Sequence, residues 1–150
     1  MSMKHYIIDG NNLIGKIKSL RALQNKSGQA SREKLAFMVD KYFHGKKVKV
    51  TLNFDGFMDL AINTSKLKIH YSEKRTADDI IKHQIEMENN PRVITLVSSD
   101  HNLAEFAKVC RCEVISSEDF ARELTERNVD EEEEKKKSIG NEEIKRLFGL

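Results

Sequence analysis

The chain has 150 residues, 39% of them hydrophobic, which suffices for one domain with a buried core and falls short of two. No apolar run approaches the roughly 18 residues of a membrane span, and the first strand begins too early to leave room for a signal peptide, so a soluble cytoplasmic protein without a membrane partner is expected. The net charge of +2 hides an asymmetry, because residues 1–75 carry 15 Lys/Arg against 6 Asp/Glu while residues 76–150 carry 11 against 18.

In chain order, Lys4 to Ile8 reads as a short buried strand ended by the turn signal Asp9-Gly10. A helix over about 13–23 follows, then a polar break at Asn25-Lys26-Ser27-Gly28. Leu35, Met38, Val39 and Tyr42 recur at i, i+3, i+4 and i+7, the buried face of a helix over 31–44. Lys47 to Phe54 alternates strictly, with Val48, Val50, Leu52 and Phe54 on one side and Lys47, Lys49, Thr51 and Asn53 on the other, which predicts a half-covered strand. A further short strand is expected over 67–71. Thr76 can cap a helix running to about Glu88, with Ala77, Ile80, Ile81 and Ile85 inward and Asn89-Asn90-Pro91 as its stop.

Val93 to Val97 is a β-branched apolar run, the signature of a central parallel strand covered on both faces. Leu103, Phe106, Ala107 and Cys110 mark the next helix, Glu113 to Ile115 a last strand, and 117–127 a last helix. Cys110 and Cys112 are too close for an ordinary staple and have no second pair to complete a zinc site, which fits a reduced compartment. Strands alternating with helices argue for βαβ units with right-handed crossovers. Asp130 to Lys137 holds five acids and three lysines with nothing apolar, and Ile144, Leu147 and Phe148 form a short amphipathic patch. The expected division is therefore a folded domain over 1–128, followed over 129–150 by a charged linker and a short C-terminal helix. That helix would dock on the domain or on a protein or ribonucleoprotein partner.

Chemistry concentrates where apolar runs stop. Asp9 follows Ile7-Ile8, Asp55 follows Phe54, Asp78 and Asp79 follow Thr76-Ala77, and Asp100 follows Leu96-Val97-Ser98-Ser99. In an open α/β sheet, ligands bind outside the carboxyl ends of the strands, so these acids would converge on one crevice. Two like charges about 4 Å apart repel by roughly 4 kcal/mol at an effective dielectric near 20, so a cluster needs Mg²⁺, Mn²⁺ or a shared proton. Each acid also has an ordinary structural use: Asp9-Gly10 and Asp55-Gly56 can be turns, Thr76-x-x-Asp79 a capping box, and Asp100 an N-cap. Adjacent helix residues point about 100° apart, so one of Asp78 and Asp79 can cap while the other faces the crevice. Asn11 and Asn12 can orient a water or a phosphate oxygen, and Ser98 and Ser99 can bind phosphate. His101 can contact RNA or assist a leaving group, though a lone histidine is more often a bystander. The basic half suits a polyanion, with Lys16, Lys18, Arg21, Lys46, Lys47, Lys74 and Arg75 as candidate backbone contacts.

Taken in order, Ile-Ile-Asp9-Gly-Asn-Asn12, Asn-Phe-Asp55-Gly, Thr76-Ala-Asp78-Asp79-Ile-Ile and Ser-Ser-Asp100 resemble the NYN branch of the PIN-like nucleases, the YacP-like proteins above all, over roughly residues 4–127. The resemblance implies a three-layer α/β/α, Rossmann-like domain with a mainly parallel sheet and the activity of a Mg²⁺- or Mn²⁺-dependent endoribonuclease. It assigns metal-site roles to Asp9, Asp79 and Asp100, with Asp78 adjacent and Asn12 as polar helper. Asn11, Ser98, Ser99, His101, Lys16, Lys74 and Arg75 are then expected around the substrate. Ala104 stands where many related nucleases have a further acid, with Glu105 beside it, and Asn11 where YacP-like proteins usually show an aromatic residue. Unpaired RNA is the expected substrate, because the crevice must reach a backbone phosphate. Two other classes compete. An RNA-binding or adaptor module would keep the fold without cleavage, and a phosphatase of the haloacid dehalogenase type would need an aspartate where Asn11 stands.

Overall fold

Parallel strands need crossovers that lie on a sheet face, and amphipathic helices between short apolar strands supply them. The computed structural model describes residues 3–126. In it β1 (His5–Asp9), β2 (Lys49–Phe54), β3 (Leu67–Tyr71), β4 (Ile94–Val97) and β5 (Glu113–Ile115) form one all-parallel sheet in the order β3-β2-β1-β4-β5. The helices are α1 (Gly10–Ile14), α2 (Lys18–Lys26), α3 (Gly28–Phe43), α4 (Ala77–Glu86), α5 (His101–Val109) and α6 (117–126). Among the described residues no helix is long and apolar enough to cross a membrane. The linker and amphipathic helix expected over 129–150 lie outside the described residues.

The period-two alternation of strand side chains divides the core in two. Ile8, Val50, Leu52, Phe54 and Val97 pack with Leu13, Leu20, Leu35, Val39, Phe43 and Phe120 from α1, α2, α3 and α6. On the opposite face Ile7, Ile94 and Leu96 pack with Ile81, Ile85, Leu103 and Ala107 from α4 and α5. Each fully buried Leu, Ile or Phe contributes roughly 1.5–3 kcal/mol relative to exposure, so the two layers carry most of the stability. The expected three-layer architecture is what forms.

Two local expectations change. The helix expected over 13–23 divides into α1 and α2, because Ile17 leaves helical geometry (φ −110°, ψ 111°) and is buried in the core. The strand β2 is covered on both sides beyond Lys49 rather than half-covered, since Thr51 lies 2.7 Å from the His5 ring and Asn53 pairs with Gln84 of α4.

The chain runs from β1 outward to β2 and β3, then returns to β4 on the other side of β1. That reversal leaves a crevice at the carboxyl ends of β1 and β4, where open sheets bind ligands. The turn from β1 into α1 lies against β2. A Cβ on Gly10 would stand 2.5 Å from the Asn53 carbonyl oxygen and 2.7 Å from the Phe54 ring, so only glycine fits. Gly10→Ala should therefore lower unfolding free energy by about 1–3 kcal/mol or more. Gly28→Ala, at a helical position where a Cβ meets nothing within 4 Å, should be neutral or stabilise by up to about 1 kcal/mol. Urea denaturation of the two variants checks this ordering, and a Gly10→Ala protein as stable as the parent would contradict it.

Candidate active site

Asp9 ends the central strand and is only 6% exposed. Its Oδ2 accepts a 3.0 Å hydrogen bond from the buried Ser98 hydroxyl. Burial pushes its carboxyl up to about 6; the Ser98 hydroxyl and the Asn12 backbone amide oppose the rise, while the charges of Asp78 and Asp55 add to it. Asp78, in the first turn of α4, is raised by burial first and by the charge of Asp100 next; Lys82 opposes, and Asp55 and Asp79 add smaller pushes. Asp78 thus feels both Asp55 and Asp100, and Asp9 feels Asp78 and Asp55. Among the described residues none of the four forms an ion pair.

Two polar latches hold the loops that carry these acids. On one side Asn11 Oδ1 accepts from the Asp55 backbone N–H at 2.8 Å, and Asp55 Oδ1 accepts from the Ala77 N–H at 2.9 Å, tying the ends of β1 and β2 to the start of α4. Arg32 of α3 supports this loop by donating to the Asp55 and Phe57 carbonyls while lying over the Phe54 and Tyr71 rings. Gly56, at φ +85°, makes the turn in the left-handed region that favours glycine.

On the other side Asn12 Oδ1 accepts from the Ser99 N–H at 2.9 Å and from the Ser117 hydroxyl at 2.6 Å. Ser99 in turn bonds Glu118 through its hydroxyl and accepts from the Ser117 N–H. Glu118 pairs with Lys16 at 3.0 Å. The Ser99 hydroxyl, its own backbone amide and Lys16 hold the Glu118 carboxyl down at about 2. Between the latches the Ser98 hydroxyl donates to Asp9 and accepts from the Asp100 N–H at 3.1 Å, so one side chain sets the relation of β1 to the β4 loop.

The arrangement is an oxygen-only crevice, with carboxylates as its donors. Among the described residues no group of three or more His, Cys, Asp or Glu stands close enough to hold a metal ion directly.

The YacP-like NYN domain profile matches residues 6–147. The chain belongs to the YacP-like NYN family. Its fold is that of Rae1 (YacP) from Bacillus subtilis, whose crystal structure aligns with a TM-score of 0.71 and 22% identity over 99% of this chain and 92% of that one. A tryptophan-to-leucine mutant of Rae1 gives a TM-score of 0.72 and 22% identity over 91% and 85% of the two chains. The PIN-like architecture is thereby shown. No curated protein matches the chain.

Within this YacP-like domain the expected residues separate by what they touch. Asp78 feels the charges of Asp100, Asp55 and Asp79 and acts in turn on Asp9, while Asp79 is exposed and donates its N–H to the Thr76 hydroxyl at 3.1 Å. Asp78 is thus the more buried of this adjacent pair. Asp100 combines both uses, since its Oδ1 also caps α5 by accepting from the Leu103 N–H at 2.9 Å. Ser98 is 1% exposed and its hydroxyl is engaged on both sides, by the Asp9 carboxylate and the Asp100 N–H. Asn11, Asn12 and Ser99 are taken up in the latches. His101, Lys74 and Arg75 are exposed at the rim, and Glu105 is exposed with no part in the fields at Asp9 or Asp78. Ser117 and Arg32 were not foreseen; neither lies in a motif, and only the folded chain brings them to the loops.

A carboxyl raised from 3.8 to about 6 on folding binds its proton more tightly in the native state, so metal-free protein should lose stability as pH rises from about 4 to about 6. A shift of about two units corresponds to roughly 3 kcal/mol. Asp9→Asn should flatten this decline and be the more stable protein at pH 7.5 in chelator. Ser98→Ala should extend the decline to higher pH by removing the hydroxyl that favours the charged form. Thermal melts across pH 4–8 measure both, and parallel profiles for parent and Asp9→Asn would contradict the assignment.

Proposed function

We propose that this YacP-like domain is a divalent-metal-dependent endoribonuclease, its centre formed by Asp9, Asp78 and Asp100 with Asp55 alongside. The observation that carries the reading is Asp9, a buried carboxylate at the switch point of the sheet that feels the charges of Asp78 and Asp55 and, among the described residues, forms no ion pair. An all-oxygen donor set suits Mg²⁺ or Mn²⁺, hard cations that keep several of their waters. When bound, such an ion supplies a polarised water and neutralises charge developing on a phosphodiester. Asp78 takes the role that the resemblance gives to Asp79. Ser98 holds Asp9 in orientation, Asn11 and Asn12 hold the loops, and Lys74, Arg75 and His101 at the rim contact the backbone of unpaired RNA. Products carry 5′-phosphates.

End-labelled RNA and DNA oligonucleotides incubated in Mn²⁺, Mg²⁺ or EDTA test this. Asp78→Asn and Asp100→Asn should each lower RNA cleavage on the order of a hundredfold, the latter while keeping the α5 cap, because Asn caps as well as Asp. Asp79→Asn should stay within a few-fold of the parent. Cleavage that persists in EDTA or in both crevice variants would mean a wrongly assigned site. RNA binding indifferent to EDTA, with no product, would favour the adaptor reading.

A further inference from the structure

The helices α4 and α5 cover β1 and β4 on their side of the sheet but leave the β3 edge open. A pocket of about 580 Å³ lies there, between the carboxyl half of α4 and the strands β2 and β3. The parallel register sets Thr51 opposite Lys68 and Asn53 opposite His70, so Lys49, Thr51, Lys68 and His70 share one face. Lys66 stands just before β3 and His5 reaches in from β1. Glu88 is the only acid among the lining residues, against three lysines. Burial is the main cause, and neighbouring lysines a further one, of the lowered pKa of both His5 and His70; for His5 the Glu88 charge acts the other way. His5 Nδ1 is buried without a hydrogen-bond partner. No core contact requires the Lys49 and Lys68 side chains, which are exposed.

Charge of one sign gathered in a concave surface attracts the opposite sign. Position narrows the class of ligand. The strand β2 leads from Lys49 to Phe54 and on to Asp55, which bonds the first amide of α4, so the basic pocket and the acidic crevice lie at opposite ends of the same strand. Six residues at about 3.3 Å each separate them by about 20 Å, room for several nucleotides. His70, the last lining residue along β3, stands two residues before the loop 72–76 that carries Lys74 and Arg75.

We infer that the β2–β3 face beside α4 is a backbone-binding groove for single-stranded polynucleotide, in which Lys49 and Lys68 grip phosphates several nucleotides from the acidic crevice. The inference rests on the reading of that crevice as an RNA-cleaving centre, but its own readout is binding. The groove holds no Phe, Tyr or Trp to stack on bases, so the grip is indifferent to sequence and strongly dependent on salt.

The test is fluorescence anisotropy of 5′-labelled oligo(U) with the full chain in EDTA across a salt series. A Lys49→Ala/Lys68→Ala variant is compared with a Lys26→Ala/Lys34→Ala control on the opposite face. Loss of two phosphate contacts should weaken binding about tenfold at 0.1 M salt and reduce the slope of log K against log salt by about 1.4, with control and parent alike. Thermal melts check that both variants fold. Unchanged affinity and slope in the groove variant, an equal loss in the control, or no binding by the parent would each overturn the groove. Cleavage of the same oligonucleotide in Mn²⁺ separates the two readings. A parent that binds through the two lysines but never cuts leaves the groove standing and removes the nuclease, whereas a groove variant that binds and cuts like the parent does the reverse.

Discussion

A carboxylate taken out of water needs either a proton or a cation, and the loops around Asp9 supply hydrogen bonds without a positive charge. Everything at the carboxyl end of the sheet is arranged around that deficit. A surface acid could relax by turning to solvent. Asp9 is fixed as the last residue of the central strand β1, and its carboxylate accepts from the buried Ser98 hydroxyl. The repulsion from Asp78 and Asp55 adds to the larger cost of burying Asp9, and a hard cation bound as proposed would offset both.

Storing that repulsion demands rigid loops. The latches through Asn11 and Asn12 are carbonyl oxygens accepting from backbone and hydroxyl donors, so they order the loops without adding charge near the acids. Adjacent asparagines leaving one turn in opposite directions tie β1 to β2 and α4 on one hand and to β4 and α6 on the other. The close approach at Gly10 belongs to the same design, because a larger residue would push the turn from β2 and pull the latches apart. The proposed contacts with substrate backbone then fall to Lys74, Arg75 and His101 and to the strand face beside α4, away from the carboxylates.

Much of this was legible in the residues. The β-branched run at 93–97 and the helical spacing around Leu35 to Tyr42 gave strand and helix directly, since burial selects apolar residues at the period of each element. The division of the first helix was not legible, because Ile17 is as compatible with a helix as with the extended link it occupies. At the site, four acids at strand ends and a parallel sheet were enough to expect one crevice. Which of Asp78 and Asp79 is the more buried depends on the rotation of α4 about its axis, which the Ile81 and Ile85 packing and the Asp55–Ala77 bond fix only in the folded chain. Ser98 and Asn11 were expected beside substrate and Asn12 as polar helper because hydroxyls and amides suit phosphate, and the same chemistry suits the backbone amides and the buried carboxylate that they bond in the folded chain.

Direct titration of the aspartate carboxyl carbons by NMR, in chelator and then in Mg²⁺, bears most closely on the account. Asp9 should titrate near 6 without metal and move well down when Mg²⁺ is present, with Asp78 and Asp100 shifting in the same titration while Asp79 stays put. An Asp9 that titrates as an ordinary surface carboxyl, or one indifferent to Mg²⁺, would contradict a crevice built to receive a cation.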